Sequence, residues 1–343
     1  MALGLGTNGV RGLFSELTPT AAMDFGFGFA RFCRACNKGN KVITVTLGRD
    51  MRLTSPAMAQ AVAAGLMEGG ADVLDIGIVT SPMAEWAAHH YGTQGLVIVT
   101  ASHNPPEWNA LKFVDGDGVA VSRERGKPIE KFVGQAHKPM LPWCGVGRLL
   151  PAPPVIEDYQ KAVLAFADRA AISKKKKWRI VFDPGNGTST LVAPAIFKAL
   201  GAEVVMLNEQ LDGKFPGRMS EPTESNVKGL IDTVPLVGAD FGVACDGDAD
   251  RVVFVDDKGR WLVGDKCVAL SAGWALREAV QSAKPPYYVL TTVATSRVVE
   301  DVASKFKAKT EYTNVGAPYL AEKFAELGSR AIAGGEEVGG IVW

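Results

Sequence analysis

Residues 95–113 read GLVIVTASHNPPEWNALKF, and the order of residue types within them decides what the flanking sequence must be. Leu96 to Val99 is a short branched apolar run of the kind a buried parallel strand needs. Thr100, Ala101 and Ser102 leave that strand at its carboxyl end, where open α/β sheets place their ligands. His103-Asn104-Pro105-Pro106 continues as neither helix nor strand, because two prolines lack N–H donors and restrict the residues before them. Ser102 is therefore expected on a rigid loop, with Lys112 following on the far side. A serine hydroxyl is a poor nucleophile until a base, a metal or a cation assists it, and a serine before Asn-Pro also caps turns. Both readings stay open on this stretch alone.

Outward on the amino-terminal side, Thr18-Pro19 opens a helix whose apolar stripe runs from Ala21 to Cys36, and 41–47 reads as a strand. Ser55-Pro56 starts a helix ended by Gly69-Gly70, 73–76 is the next strand, and Ser81-Pro82 starts a helix closed by Gly92. This order of strand, loop, Ser-Pro, helix and glycine predicts successive βαβ units. The pattern dissolves from His137 to Pro154, so a first domain is assigned to 1–150. A helix over 155–171 is expected next, then the lysine run 174–177, read as a solvated hinge because no aromatic or further basic cluster interleaves with it. Strands at 178–182, 203–207 and 239–245, with a helix ending at Gly201, make a second domain over 151–256. A third, 257–343, alternates helix 268–281, strand 287–292, helix 296–305, strand 310–313 and helix 317–327. The fold class is thus α/β: three successive, similar domains with mainly parallel mixed sheets. No short-period repeat suggests a solenoid.

Acidic and basic residues balance at 37 each, which argues against a nucleic-acid or acidic-membrane footprint. The five cysteines are scattered; Cys33 and Cys36 have CxxC spacing but no second pair, and lie in a helical pattern, which disfavours a zinc or redox site. No apolar run has the length of a membrane span, and MALGLGTNGVRG lacks a charged n-region, so a soluble cytoplasmic protein without membrane contact is expected.

Three further motifs carry chemistry. Asp246-Gly247-Asp248-Ala249-Asp250-Arg251 places three carboxylates at alternate positions on a loop, a spacing that lets oxygen ligands converge on one hard cation such as Mg2+. An EF-hand is excluded, since Arg251 stands where that loop needs glycine and 252–255 reads as a strand. An acidic surface turn remains the plain alternative. Residues 4–12, GLGTNGVRG, suit a tight backbone that aims one cation, Arg11, although a glycine-rich surface turn fits equally. Gly334-Gly335-Glu336-Glu337-Val338-Gly339-Gly340 offers two carboxylates to vicinal hydroxyls, or is simply a polar turn.

Taken together, TASHNPPEWNALK, GTNGVRG, DGDADR and GGEEVGG resemble the signature loops of the α-D-phosphohexomutases, which include phosphoglucomutase, phosphomannomutase and phosphoglucosamine mutase. The last form is similar to archaeal-type members, with Val338 in place of a serine and Gly340 in place of a histidine. The resemblance implies an isomerase interconverting hexose 1-phosphate and hexose 6-phosphate through a phosphorylated serine and a bisphosphorylated sugar. In it Ser102, Lys112, Arg11 and His103 are catalytic, and Asp246, Asp248, Asp250 and Ser102 hold Mg2+. Glu336, Glu337, Gly335 and Arg251 bind substrate, and a hexose 1,6-bisphosphate acts as activator. Lys112 and Arg11 are candidates for proton handling, Arg11 rather for positioning because an arginine scarcely deprotonates. A dianionic phosphoserine beside three carboxylates needs a divalent cation and these basic residues to offset the repulsion, so the serine loop and the aspartate loop are expected to meet. Family members continue into a fourth domain with an RxSGTxxxR-like loop that this sequence lacks, which implies a three-domain form whose activity is impaired by the shortening. A metal-dependent sugar phosphatase and a non-catalytic sugar-phosphate binding module are the competing readings. Which hexose is used, and whether the chain forms a homo-oligomer, is left open.

Overall fold

The computed structural model describes residues 4–6, 9–39, 42–136, 141–173, 177–282 and 285–342. The first sheet is built from β1 (Val10–Leu13), α1 (Pro19–Cys36), β2 (Ile43–Arg49), α2 (Ser55–Glu68), β3 (Ala71–Ile78), α3 (Ser81–His90), β4 (Gly95–Val99), β5 (Trp108–Asp115), α4 (Arg123–Val133) and β6 (Leu149–Leu150). The second segment holds α5 (Val155–Phe166), α6 (Arg169–Ser173), β7 (Arg179–Asp183), α7 (Ala193–Ala199), β8 (Glu203–Met206), α8 (Lys228–Leu236), β9 (Phe241–Cys245), β10 (Val252–Asp256) and β11 (Trp261–Leu262). The third holds α9 (Gly264–Ser282), β12 (Tyr288–Thr292), α10 (Val298–Lys305), β13 (Lys309–Thr313), α11 (Ala317–Leu327), β14 (Ala331–Gly335) and β15 (Ile341–Val342).

The three sheets run β1-β5-β4-β2-β3-β6, β11-β10-β9-β7-β8 and β13-β12-β14-β15. Each has a parallel centre and an antiparallel margin. The last parallel strand of each sheet, β4, β9 or β14, turns back into an antiparallel partner, β5, β10 or β15. The connections are residues 100–107, 246–251 and 336–340, so the serine, aspartate and glutamate motifs occupy the same place in three similar folds. β4 is apolar and wholly buried, as a central strand covered on both faces must be.

The structure departs from the predicted elements in several places. β1 and β5 lie antiparallel where the sequence reads only as a glycine-rich turn and a loop. Gly9, at φ +83°, makes the first possible, since a Cβ there would sit 2.0 Å from the Leu111 carbonyl oxygen. The helix expected over 155–171 breaks after Phe166, because the Asp168 carboxylate accepts the Ala171 N–H (2.9 Å) and caps a new short helix. The hairpin of β10 and β11 carries the second sheet to Leu262, beyond the boundary expected at 256. Residues 174–176 of the lysine run, 137–140 of the proline-rich stretch, and Thr7 and Asn8 of the glycine loop lie outside the described residues. Cys33 is buried and Cys36 exposed on α1, both as free thiols. Among the described residues no helix is long and apolar enough to cross a membrane.

Candidate active site

The hairpin loops of the first two sheets meet. Ser102 Oγ donates to Asp246 Oδ2 at 2.6 Å and lies 3.3 Å from Asp250 Oδ1. The Asp246, Asp248 and Asp250 carboxylates bring one oxygen each within 4.8 Å of one another. Lys112, on β5 opposite Ile98, reaches across to Asp248 Oδ2 and Asp250 Oδ2, both at 2.7 Å. Ser81, at the start of α3, donates its hydroxyl to Asp248 Oδ2 (2.6 Å) and its N–H to the Asp248 carbonyl (2.8 Å). The cluster fits a divalent cation on its own chemistry: the donors are all oxygens, and the buried Asp248 Oδ1 has no partner.

Electrostatics follow from packing three acids together out of water. Burial, then the Asp250 and Asp248 charges, push Asp246 well above the usual carboxylate range. Burial would do the same to Asp248, but the Lys112 ammonium and the Ser81 hydroxyl more than offset it and hold Asp248 low. Burial opposes the charge on Lys112, yet Asp248 and Asp250 outweigh that and raise it far above its ordinary value. Lys112 is therefore held as a cation within this cluster.

Around this centre, Arg11 Nη1 donates to Asn104 Oδ1 at 2.8 Å, and Arg251 Nη1 to Glu221 Oε1 at 3.0 Å. His103 Nδ1 lies 3.4 Å from Ser102 Oγ, and burial, then Arg251, lower its pKa, which favours the neutral ring. On the third hairpin, Glu336 Oε1 accepts the Gly316 N–H (2.8 Å), and Glu337 Oε2 accepts from Thr292 (3.1 Å) and Thr295 (3.3 Å). Gly335 is buried in β14, its carbonyl accepting from Thr291 Oγ1 at 2.9 Å. A cleft of about 990 Å³ joins the two sides: Ser102, Lys112, Arg11 and Arg251 face Glu336 and Glu337 across it, with Trp86 and Tyr159 as an apolar wall.

Several residues that shape this site have no signal in the sequence reading. Arg52 and Asp50 form a fully buried ion pair beneath the serine loop, and Arg218 and Asp183 a largely buried one beneath the aspartate loop. Ser220 joins the two loops: its hydroxyl donates to the Ser102 carbonyl (3.1 Å) and accepts from Gly247 N–H (3.0 Å). Glu85, on the cleft wall, was equally unforeseen. GRD at 48–50 at the end of a strand is the only local hint, since charged residues seldom sit at a buried strand end without a partner.

Comparison with known proteins bears on the fold and the family. Three consecutive domain families match, described as phosphoglucomutase/phosphomannomutase, alpha/beta/alpha domain I over residues 2–140, domain II over 157–259 and domain III over 263–343. A phosphoglucomutase/phosphomannomutase of Thermococcus kodakarensis is 37% identical over 339 residues, covering 98% of this chain and 72% of the relative. A phosphoglucosamine/phosphogalactosamine mutase of Sulfurisphaera tokodaii is 34% identical over 340 residues, again 98% and 72%. The crystal structure of a phosphoglucomutase/phosphomannomutase family protein from Burkholderia thailandensis superposes with a TM-score of 0.87 at 26% identity, over 99% of this chain and 71% of that one.

Proposed function

Because the chain belongs to the phosphoglucomutase/phosphomannomutase family, a family of phosphohexomutases, we propose that it interconverts hexose 1-phosphate and hexose 6-phosphate with Ser102 as the phosphoryl carrier. The observation that carries this reading is the Ser102 hydroxyl 2.6 Å from Asp246 inside the three-aspartate cluster, at the floor of a cleft large enough for a sugar phosphate. Phospho-Ser102 gives its phosphoryl group to the free hydroxyl of a hexose monophosphate: the serine O–P bond breaks as the sugar O–P bond forms. The bisphosphate then turns in the cleft and returns its other phosphoryl group to Ser102; a hexose 1,6-bisphosphate supplied from outside primes the serine in the same way.

Asp246, Asp248 and Asp250 would hold Mg2+, which supplies charge neutralisation at the phosphoryl oxygens. Lys112 and Arg11 contribute fixed positive charge beside Ser102, where negative charge shifts between oxygens during transfer. His103, favoured as a neutral ring and 3.4 Å from Ser102 Oγ, can take up the proton that the serine hydroxyl releases when it attacks the bisphosphate. Glu336 and Glu337 accept from sugar hydroxyls on the opposite side of the cleft.

The test is Ser102→Ala, assayed with glucose, mannose and glucosamine 1-phosphates plus the matching bisphosphate. Turnover is expected to vanish, and the intact mass to lose any phosphate carried by the parent protein. Retained isomerisation in that variant overturns the mechanism. Inorganic phosphate released by the parent without isomerisation favours the phosphatase reading, and magnesium binding with no phosphate on Ser102 favours the binding module.

A further inference from the structure

Arg52 is 0% exposed, and all five of its side-chain N–H donors are spent. Nε donates to Asp50 Oδ2 at 2.9 Å. Nη1 donates to the carbonyls of Pro105 (2.5 Å) and Trp108 (3.1 Å), and Nη2 to those of Ser102 (2.7 Å) and Asn104 (2.8 Å). Three of the five bonds therefore end on the backbone of the loop that carries Ser102, and a fourth on Trp108, the first residue of β5 after it. Within itself the loop backbone makes only short-range turn bonds, Ser102 N–H to Thr100 Oγ1 (3.0 Å), Asn104 N–H to the Ala101 carbonyl (3.0 Å) and Trp108 N–H to the Pro105 carbonyl (3.2 Å). Two of its residues are prolines, and Ser102 itself sits at φ +50°, a left-handed conformation that a non-glycine residue adopts only when its surroundings enforce it.

The guanidinium is in turn fixed from three sides. Asp50 also accepts from the Arg52 N–H (3.0 Å) and the Ser55 hydroxyl (2.6 Å), so its carboxylate cannot swing away. The Phe215 ring from the second domain covers the guanidinium at 5.0 Å. Gly213 closes against the backbone of Met51 and Arg52 so tightly that a Cβ would lie 2.4 and 2.5 Å from their atoms. A buried ion pair serving stability alone would need no such aim at carbonyls of the loop and its exit strand, and apolar residues of the same volume often do as well.

We infer that Arg52 is the positioning residue of the serine loop, setting the Ser102 hydroxyl against the aspartate cluster through the loop carbonyls and coupling it to the second domain through Phe215. The inference rests on Ser102 being the reacting group. Arg52→Lys keeps the charge but offers three donors in place of a five-donor fork. Backbone amide exchange is measured in parent and variant, and phosphorylation of Ser102 by glucose 1,6-bisphosphate is followed by intact mass in a single turnover.

Exchange at residues 101–108 is expected to rise at least about tenfold, while residues 241–251 change less than about threefold. The phosphorylation rate at saturation is expected to fall about 100-fold, with the half-saturating bisphosphate concentration unchanged within about threefold. Exchange unaltered at 101–108, or raised equally across the first domain, overturns the inference, because a merely structural ion pair gives one of those patterns. If the parent itself takes up no phosphate, the proposed reaction fails while the exchange comparison still decides the role of Arg52. Should Arg52→Lys not fold, Phe215→Leu is measured in its place. A localised rise of about threefold at the same amides supports the inference, and no change there overturns it.

Discussion

The loops of the first two sheets and the loop of the third occupy equivalent positions, yet they are held in different ways. Beneath the serine loop lies Arg52 and beneath the aspartate loop Arg218, each with a buried aspartate and each with every donor satisfied. Arg218 Nε donates to Asp183 Oδ2 (2.8 Å), Nη1 to the Met219 and Ser220 carbonyls (3.0 and 3.1 Å), and Nη2 to those of Asp183 and Cys245 (3.1 and 2.7 Å). Gly185, at φ +58°, makes room for it, since a Cβ there would lie 2.6 Å from the guanidinium carbon. Among the described residues no such arginine lies beneath the third loop; two threonine hydroxyls and one backbone N–H meet its glutamates. The difference is chemical. The proposed transfer between Ser102 and a sugar hydroxyl, beside a metal-binding cluster, requires oxygens fixed to within about 0.5 Å, whereas a surface that would receive a sugar in two opposite orientations gains from yielding.

The largest effect expected from this division is at Lys112, whose ammonium stands between two acids of the fixed side. Lys112→Met leaves buried carboxylates without their counter-charge, so metal-free protein is expected to lose about 3–5 kcal/mol of stability. Magnesium is expected to restore more stability to the variant than it adds to the parent, because it then replaces the counter-charge that Lys112 placed directly on Asp248 and Asp250. Thermal unfolding with EDTA and with magnesium measures both. A metal-free variant as stable as the parent would break the comparison, since the fixed side would then not depend on internal charge balance.

A smaller effect is expected at Glu85, which faces the cleft from α3. Desolvation among surrounding protein, opposed by Lys112 and reinforced by Asp250 and Asp248, pushes its carboxyl up to about 7 from the usual 4.5. An acid raised in this way binds its proton more tightly in the folded chain. Its contribution to stability is therefore complete below pH 4.5 and is lost as pH rises to about 7. The side chain is open to water in the cleft, which screens much of the interaction. Glu85→Gln, which does not titrate, is expected to gain about 1 kcal/mol on the parent at pH 8 and nothing at pH 4, in metal-free buffer. A constant difference across that range would mean that the cleft leaves the Glu85 carboxyl at its ordinary pKa.

What the sequence made legible follows the same line. The aspartates and Ser102 stand out because their chemistry is written in contiguous residues, and the parallel strands because a branched apolar run such as Leu96 to Val99 has few other uses. The return strand β5 does not stand out: six of its eight residues are buried, so WNALKFVD lacks the alternation of a half-exposed strand and includes a lysine at its fifth position. The charge balance expected around a phosphorylated Ser102 puts Lys112 near the aspartates, but nothing near it in sequence picks out Asp248 and Asp250, which come from another domain, as the two it bonds. The arginine braces were illegible for a further reason. Their acceptors are backbone carbonyls, which every residue carries, so no residue type marks the positions Arg52 and Arg218 hold. The break before Asp168 escaped because a capping aspartate inside a helical pattern looks like an ordinary exposed acid.

The smallest effect is expected on the yielding side. Glu337 accepts from Thr292 and Thr295 through one oxygen, Oε2, at 3.1 and 3.3 Å. Glu337→Gln keeps an oxygen acceptor of the same shape, so both threonines can remain bonded and only the charge contribution is lost. The half-buried position limits that to about 0.5 kcal/mol of stability. Sugar binding is different, because a hydroxyl donates more strongly to a carboxylate than to an amide oxygen. KM for a hexose 1-phosphate is therefore expected to rise about tenfold while kcat changes less than about threefold, since the loop takes no part in holding Ser102 against the aspartates. The opposite pattern, a collapse of kcat with KM intact, would place the third loop among the fixed parts, and the contrast between an arginine-braced side and a yielding side would no longer describe this cleft.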